Sequence, residues 1–362
     1  MISDNTSVGG IDPSDSDMLT EMNPISDPRW DEFVLGHPEG TIYHHSAWQQ
    51  VLSETYSYTP LYLGMTSPDG SQISGIFPLM LVNSSLTGRR VVSLPFTTYC
   101  NPLMPEALLG EAIRFAFDRF PRVRYVELKL LESEHGAFGQ LGVASTFVSQ
   151  VLSLDRDIDK LFLSFHPSSV RHRVRRAEKL GLVFRLGDTE SELRQFYKFY
   201  NLMRRKNGLP PQPYAFFANM RRILTSKNLL ELPVIEFEGN VIAAAVLLKG
   251  RSMWHLEYSA SDSRFLQHGP NQLLIWKCIE MAYQAGAKYF DFGRTSLSHH
   301  SLLEFKDRWQ AKRRAIRYYY FPQDTKPTHS RDYSDSLLAR LNRKLPLSLL
   351  TWEGRLLYRH LA

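Results

Sequence analysis

The chain should form an α+β protein built from two similar halves. At 362 residues it is long enough for two domains with substantial cores. Each half reads as an antiparallel meander followed by a helix and a strand. Two landmarks also recur at nearly the same distance. GSQISG matches GNVIAA, with Ile73 against Ile242, 169 positions on, and RYVELK matches KYFDFG, with Tyr125 against Tyr289, 164 positions on. A shared offset for a hairpin and for a helix–strand unit argues for duplication.

Residues 1–26 are rich in Ser, Asp, Asn and Gly and are expected to be disordered. A first helix should begin at Asp27-Pro28 with Trp30 and Phe33 facing inward, and a second at residues 46–52 with Ser46 as its cap. Strands at 61–65 and 73–82 flank a turn at 67–70. A strand at 91–94, a loop at 95–105, a helix at 106–120 and a strand at 125–130 complete the first half. The boundary falls near 149–155, giving a first domain at 27–152 and a second at 153–322. The second half should place strands at 229–237, 241–248 and 253–259. A helix at 270–285 follows, with Pro270 at its first position where no amide hydrogen is needed, and then a strand at 288–292.

Hydrophobic residues at 43% and charged residues at 22% are ordinary for a globular protein. The net charge of +6 suits an anionic partner, or simple solubility. Two cysteines, Cys100 and Cys278, make neither a disulfide framework nor a zinc site. The N-terminus lacks a basic and apolar leader, and the longest apolar run is far short of a membrane span, so the chain is expected to be cytoplasmic.

The stretch 286–314 is the expected active site. Asp291 is a single carboxylate among Tyr289, Phe290 and Phe292, and a buried charge must be paired or used. Gly293 permits a sharp turn or a close approach. Arg294 and Lys306 add cations suited to an anionic ligand. A second candidate is the basic helix at 168–181, capped by serine and ended by Gly181. Its Arg171, Arg173, Arg175 and Arg176 are either a phosphate-binding surface or a solvated face paired to nearby acids. The junction at 261–271 holds Arg264, Gly269 and Asn271 before a helix N-terminus, a place that favours anions. Tyr258 either binds substrate or packs in the core. His44-His45 and His299-His300 lack zinc-ligand spacing, and no nucleophile elbow or P-loop is present. The loop 207–214 walls a cleft or is a plain linker. The tail after residue 322 is amphipathic, and either rests on an anionic membrane surface or packs back onto the first domain.

Taken in order, SVRHRVRRAEKLG, GNVIAAAVLL, EYSASD, GPNQLLIWKCIEMAYQAG, FDFGR and EFKDRW resemble the FemAB-like acyltransferases. This family of tandem GNAT (BioF2-like) proteins includes a subgroup linked to exopolysaccharide and PEP-CTERM clusters. The resemblance covers about residues 30–321. It implies two GNAT-like domains side by side. It also implies acyl or aminoacyl transfer to an amine of a cell-envelope or exopolysaccharide precursor, nucleotide- or lipid-linked. The donor would be aminoacyl-tRNA or an acyl thioester. The resemblance gives the lysine of the Phe305-Lys306 pair an important role, with Asp291 beside it. Ordinary GNAT enzymes cradle coenzyme A at the 261–271 junction. Here Pro270 and Asn271 replace open amides and a small residue, which speaks against acetyl-coenzyme A. No cofactor or metal is expected, acyl-coenzyme A as co-substrate being the alternative. A coenzyme A-dependent acetyltransferase and a noncatalytic RNA-binding module are the competing functions.

Overall fold

The computed structural model describes residues 18–132, 147–323, 325 and 337–360. The first half contains β1 (Met18–Met22), α1 (Pro28–Gly36), α2 (Ser46–Tyr56), β2 (Thr59–Thr66), β3 (Ile73–Ser84), β4 (Gly88–Val92), α3 (Leu109–Arg119) and β5 (Tyr125–Leu131). Next come β6 (Phe147–Ser153), α4 (Ile158–Ser164), α5 (His172–Lys179), β7 (Val183–Leu186), α6 (Glu190–Lys206) and α7 (Tyr214–Thr225). The second meander holds β8 (Leu230–Glu231), β9 (Pro233–Phe237), β10 (Asn240–Lys249) and β11 (Met253–Ser261). It is followed by α8 (Pro270–Gln284), β12 (Tyr289–Ser296), α9 (His300–Asp307), β13 (Lys312–Phe321), α10 (Leu337–Asn342) and α11 (Leu347–Leu357).

The duplication is visible in the pairing. β3 and β10 each run antiparallel to the next strand, β4 and β11 respectively. Each of those then pairs in parallel with β5 or β12 across an intervening helix, α3 or α8. The halves are not separate sheets lying side by side, however. They share one sheet in the order β1-β2-β3-β4-β5-β13-β6-β12-β11-β10-β9-β7. The cause is an exchange of strands. β6 follows β5 in sequence but pairs with β12, while β13 follows β12 but pairs with β5 and β6. A division at residues 152 and 153 therefore cuts no boundary in the sheet.

Several local expectations need correction. Within the supposed tail 1–26, residues 18–22 form edge strand β1 on β2; residues 1–17 lie outside the described residues. His45, not Ser46, caps α2 by accepting from the Ala47 amide, and Ser46 is spent on Asp31. Likewise His166, not a serine, caps the basic helix, accepting from Ser169. The strand at 229–237 is broken into β8 and β9. Lys306 is carried by α9.

Helix α6 opens with a capping box in which Thr189 and Glu192 satisfy each other's backbone amides. It buries Leu193, Phe196, Phe199 and Tyr200 on one face. Those residues join Trp30 and Trp48 of the first half and Phe216, Phe217 and Met220 of α7 in one core, so both halves contribute to it. The basic run after Trp309 is strand β13. Its alternation sends Ile316, Tyr318 and Tyr320 to one core and Tyr319 to another.

The C-terminal helices fasten across both halves. Tyr58 donates to the Arg359 carbonyl at 3.0 Å, Thr87 to the His360 carbonyl at 2.9 Å, and Arg204 to the Tyr358 hydroxyl at 2.9 Å. Gly354 lies so close to the loop before α7 that a Cβ there would sit 2.1 Å from the Pro211 carbonyl oxygen. Replacing Gly354 with valine should therefore loosen the tail and cost about 1–3 kcal/mol of stability. Thermal denaturation and faster proteolysis of residues 337–360 would report it.

Candidate active site

The site lies where β11 and β12 part. Their parallel pairing runs from Met253–Tyr289 to His255–Asp291 and then stops. Each strand also changes register at that point. Leu256 and Tyr258 pair with Leu247 and Val246, leaving Glu257 as an extra residue, and β12 shifts against β6 between Asp291 and Arg294. Such bulges bend a strand and re-aim its side chains. Gly293, at φ 75°, lies inside the second bulge, in a conformation that costs glycine little and other residues more.

Asp291 is fully buried. Its Oδ1 accepts from the Ser149 hydroxyl at 2.5 Å and from the Gly293 amide at 2.7 Å. Its Oδ2 lies 3.2 Å from His255 Nδ1 and accepts from the Tyr99 hydroxyl at 3.4 Å. Burial alone would raise the carboxyl pKa, but His255, Ser149 and the Gly293 amide outweigh it and hold the group below its ordinary value. The buried Tyr43 donates at 2.5 Å to Glu257, whose carboxyl is pushed up by burial.

Lys306 is 6% exposed and donates to the Gly293 carbonyl at 2.7 Å and the Thr295 hydroxyl at 2.8 Å. Asp291 thus holds the amide of residue 293 and Lys306 its carbonyl. Burial lowers the Lys306 ammonium to about 8, with Asp291 and Glu257 opposing the shift. Arg294 is solvent-exposed, donates to the Tyr318 hydroxyl, and lies 4.6 Å from the centre of the Phe147 ring. Where the two strands part, carboxylates and an ammonium are thus buried together, with the Arg294 guanidinium exposed beside them.

A recess of about 400 Å³ opens between α6, the start of α7 and α11, lined by Arg194, Tyr197, Lys198, Asn201, Tyr214 and Leu347. Asn201 is 7% exposed, and its Oδ1 has no hydrogen-bond partner among the described residues.

Residues 165–307 match the family model described as an acetyltransferase (GNAT) domain. A UDP-N-acetylmuramoylpentapeptide-lysine N(6)-alanyltransferase from Weissella viridescens is 23% identical over 299 residues, covering 76% of this chain and 86% of that protein. The crystal structure of FemX superposes with a TM-score of 0.66 at 14% identity, covering 84% of this chain and 97% of that one. The chain is similar to the FemAB-like GNAT acyltransferases. A conserved protein of unknown function from Bacteroides thetaiotaomicron shares the fold at a TM-score of 0.56 and 8% identity, covering 84% and 99% of the two chains.

In this FemAB-like chain the expected residues divide into two groups. Asp291, Gly293, Arg294 and Lys306 meet at the mouth, and Phe305 packs half-buried on the core beside them. The other group surrounds the N-terminus of α8. Arg171 donates to the Phe165 carbonyl at 3.0 Å, Arg173 and Arg176 are exposed, and Arg175 lies over the Phe162 ring. Arg264 is paired to Asp262 in its own turn, and Asn271 is half-buried in the first turn of α8. Gly269 is pressed against α5, since a Cβ there would meet the Arg173 carbonyl oxygen at 2.9 Å. Tyr258 packs edge-on against Tyr200, Phe216 and Phe217, with burial driving its hydroxyl pKa well up.

Tyr43, Tyr99, Ser149, His255 and Glu257 were not found from sequence. One signal was available: His255 and Glu257 are ionisable residues inside an otherwise apolar and aromatic strand, WHLEY. The others come from distant segments and meet only through the shared sheet.

Asp291→Asn should remove a charge that three donors are arranged to meet. A loss of about 3 kcal/mol is expected for a broken buried network. Because the folded pKa lies below the unfolded value of 3.8, the carboxylate's contribution is present above about pH 4 and is lost as pH falls through the folded value. Urea denaturation at pH 7 and pH 3 should therefore show a smaller drop in stability for the variant than for the parent.

Proposed function

We propose that the chain transfers an aminoacyl group from aminoacyl-tRNA to an amine of a nucleotide- or lipid-linked cell-envelope precursor. The alanyltransferase relative supports a transfer of this kind, and an exopolysaccharide precursor is a further acceptor of the same chemistry. The reaction would take place in the cytoplasm, where charged tRNA is found. The observation that carries the reading is the buried Lys306 ammonium at the mouth between β11 and β12, with Glu257 and Asp291 close enough to act on its charge.

Transfer to an amine requires that the amine lose a proton and that the tetrahedral oxyanion find a positive group. Glu257, with its carboxyl pKa raised by burial and a hydrogen bond from Tyr43, is suited to accept the proton. Lys306, still cationic at pH 7, would stabilise the oxyanion and then the departing ribose oxygen. Asp291 would position both by fixing the Gly293 peptide, and Arg294, exposed at the mouth, would bind a substrate anion. The basic helix α5, facing the α8 N-terminus, would meet the tRNA phosphates. The recess lined by Arg194 and Lys198 is suited to an anionic acceptor. Arg173 closing on Gly269 leaves less room for a coenzyme A pyrophosphate at that turn.

Lys306→Ala should lower kcat by about 10²–10³-fold, the usual effect of losing an oxyanion donor, while the protein still folds. Activity of the parent should fall as pH rises through about 8, where Lys306 loses its proton, and Lys306→Arg should move that limb upward. A flat profile above pH 8, or an unimpaired Lys306→Ala, would remove Lys306 from the reaction. Calorimetry with acetyl-coenzyme A should show no saturable binding, while charged tRNA supports turnover. Saturable binding would favour the acetyltransferase reading.

A further inference from the structure

We infer that the consecutive helices α10 and α11 are a peripheral membrane anchor that lays its exposed apolar side chains on an anionic bilayer. The face is visible in the spacing of exposed residues. On α11, Leu349, Trp352 and Leu356 recur at three and four positions and are 52%, 63% and 45% exposed. The opposite face carries Leu350 and Gly354, both buried against the protein. On α10, Leu338 and Leu341 are 51% and 52% exposed, while Ala339 and Asn342 are buried. Apolar side chains outside a core are common singly, but five on two consecutive helices mark a contact surface.

Charge selects the occupant. Residues 337–360 hold five cations, Arg340, Arg343, Lys344, Arg355 and Arg359, against one acid, Glu353. Leucine and tryptophan on one side with lysine and arginine beside them is the composition of helices that lie in the headgroup region of anionic bilayers. A second protein copy would bring five like charges per chain together, which opposes self-association. Nor do these helices enter the bilayer fully, because no helix among the described residues is long and apolar enough to cross it. The hydrogen bonds of Arg359, His360 and Tyr358 to both halves hold α11 in place before any lipid arrives, so docking requires no folding of the anchor. Leu347 on the same helix lines the cation-bearing recess, so a bilayer under α11 would lie beside that opening.

The chain contains its own reporter. Of six tryptophans, Trp30, Trp48, Trp254, Trp276 and Trp309 are buried, and Trp352 is exposed. The full chain is mixed with vesicles of phosphatidylcholine alone or with phosphatidylglycerol, and flotation and tryptophan emission are recorded. Phosphatidylglycerol vesicles should carry the protein and move its emission to shorter wavelength. Salt should weaken binding, each cation near the surface contributing about fivefold. Trp352→Glu should weaken partitioning about tenfold or more, because it removes the aromatic group that the bilayer would bury and adds a repelled charge. Its melting temperature should be unchanged, the side chain being exposed.

Absence of binding overturns the inference. So does binding that Trp352→Glu leaves intact, which would assign it to the basic helix α5. A stable dimer that Trp352→Glu dissociates would assign the face to a second copy instead. The inference is independent of the acyl-transfer reading: an active enzyme that ignores vesicles sinks the anchor alone.

Discussion

A carboxylate with no access to water lies at the centre of this molecule. Asp291 is fully buried in the middle of the shared sheet, and an ionised group there is tolerated only while every lone pair is met. Its partners come from four places: three donors, Ser149 on β6, the backbone of Gly293 and Tyr99 from the loop after β4, and His255 on β11, whose Nδ1 lies 3.2 Å away. Three of those segments must be assembled before the charge is accommodated. The exchange of β6 and β13 between the halves brings them together, because only a strand from the first half's end can place Ser149 opposite β12. Burial of one charge and continuity of the sheet are thus one constraint.

The same constraint tunes the groups around it. Asp291 holds the amide of Gly293, and the carbonyl of the same residue receives Lys306. Desolvation lowers the lysine to about 8 and raises Glu257, moving one cation and one acid toward neutrality from opposite sides. In the proposed reaction, this would let a proton acceptor and an oxyanion partner work in one small space near neutral pH. The bulges at Glu257 and Gly293 supply the space by parting two strands that would otherwise remain paired.

Much of this was legible in the chain and part of it was not, for reasons that differ by residue. The duplicated halves, the helix beginning at Asp27-Pro28 and the buried stripe of Val170, Val174 and Ala177 follow from local periodicity. Asp291, Gly293, Arg294 and Lys306 lie within a short span, so composition alone brought them together. Strand exchange leaves no local signature. β13 begins with three cations, and only its pairing with β5 explains the tyrosines that follow. Tyr43 meets Glu257 across 214 positions, and no pattern within either segment encodes that. Capping went astray for a related reason: a serine and a histidine were both available at each helix start, and tertiary partners decided between them, Asp31 drawing Ser46 away.

The tail shows how far a single amphipathic pattern leaves its partners undetermined. Leucine interleaved with arginine is compatible with a membrane surface or with packing on the protein, and here one helix does the second with one face and leaves the other open. Glycine decides which face is which. At Gly208 and Gly354 the backbone approaches Ala339 and Pro211 more closely than any side chain would allow, so the hidden face is fixed by close backbone contact. The remaining leucines and Trp352 are left outward by elimination. A face held outward by such tight contacts on its reverse side cannot turn inward without breaking them, and so it must either stay in water or find a partner.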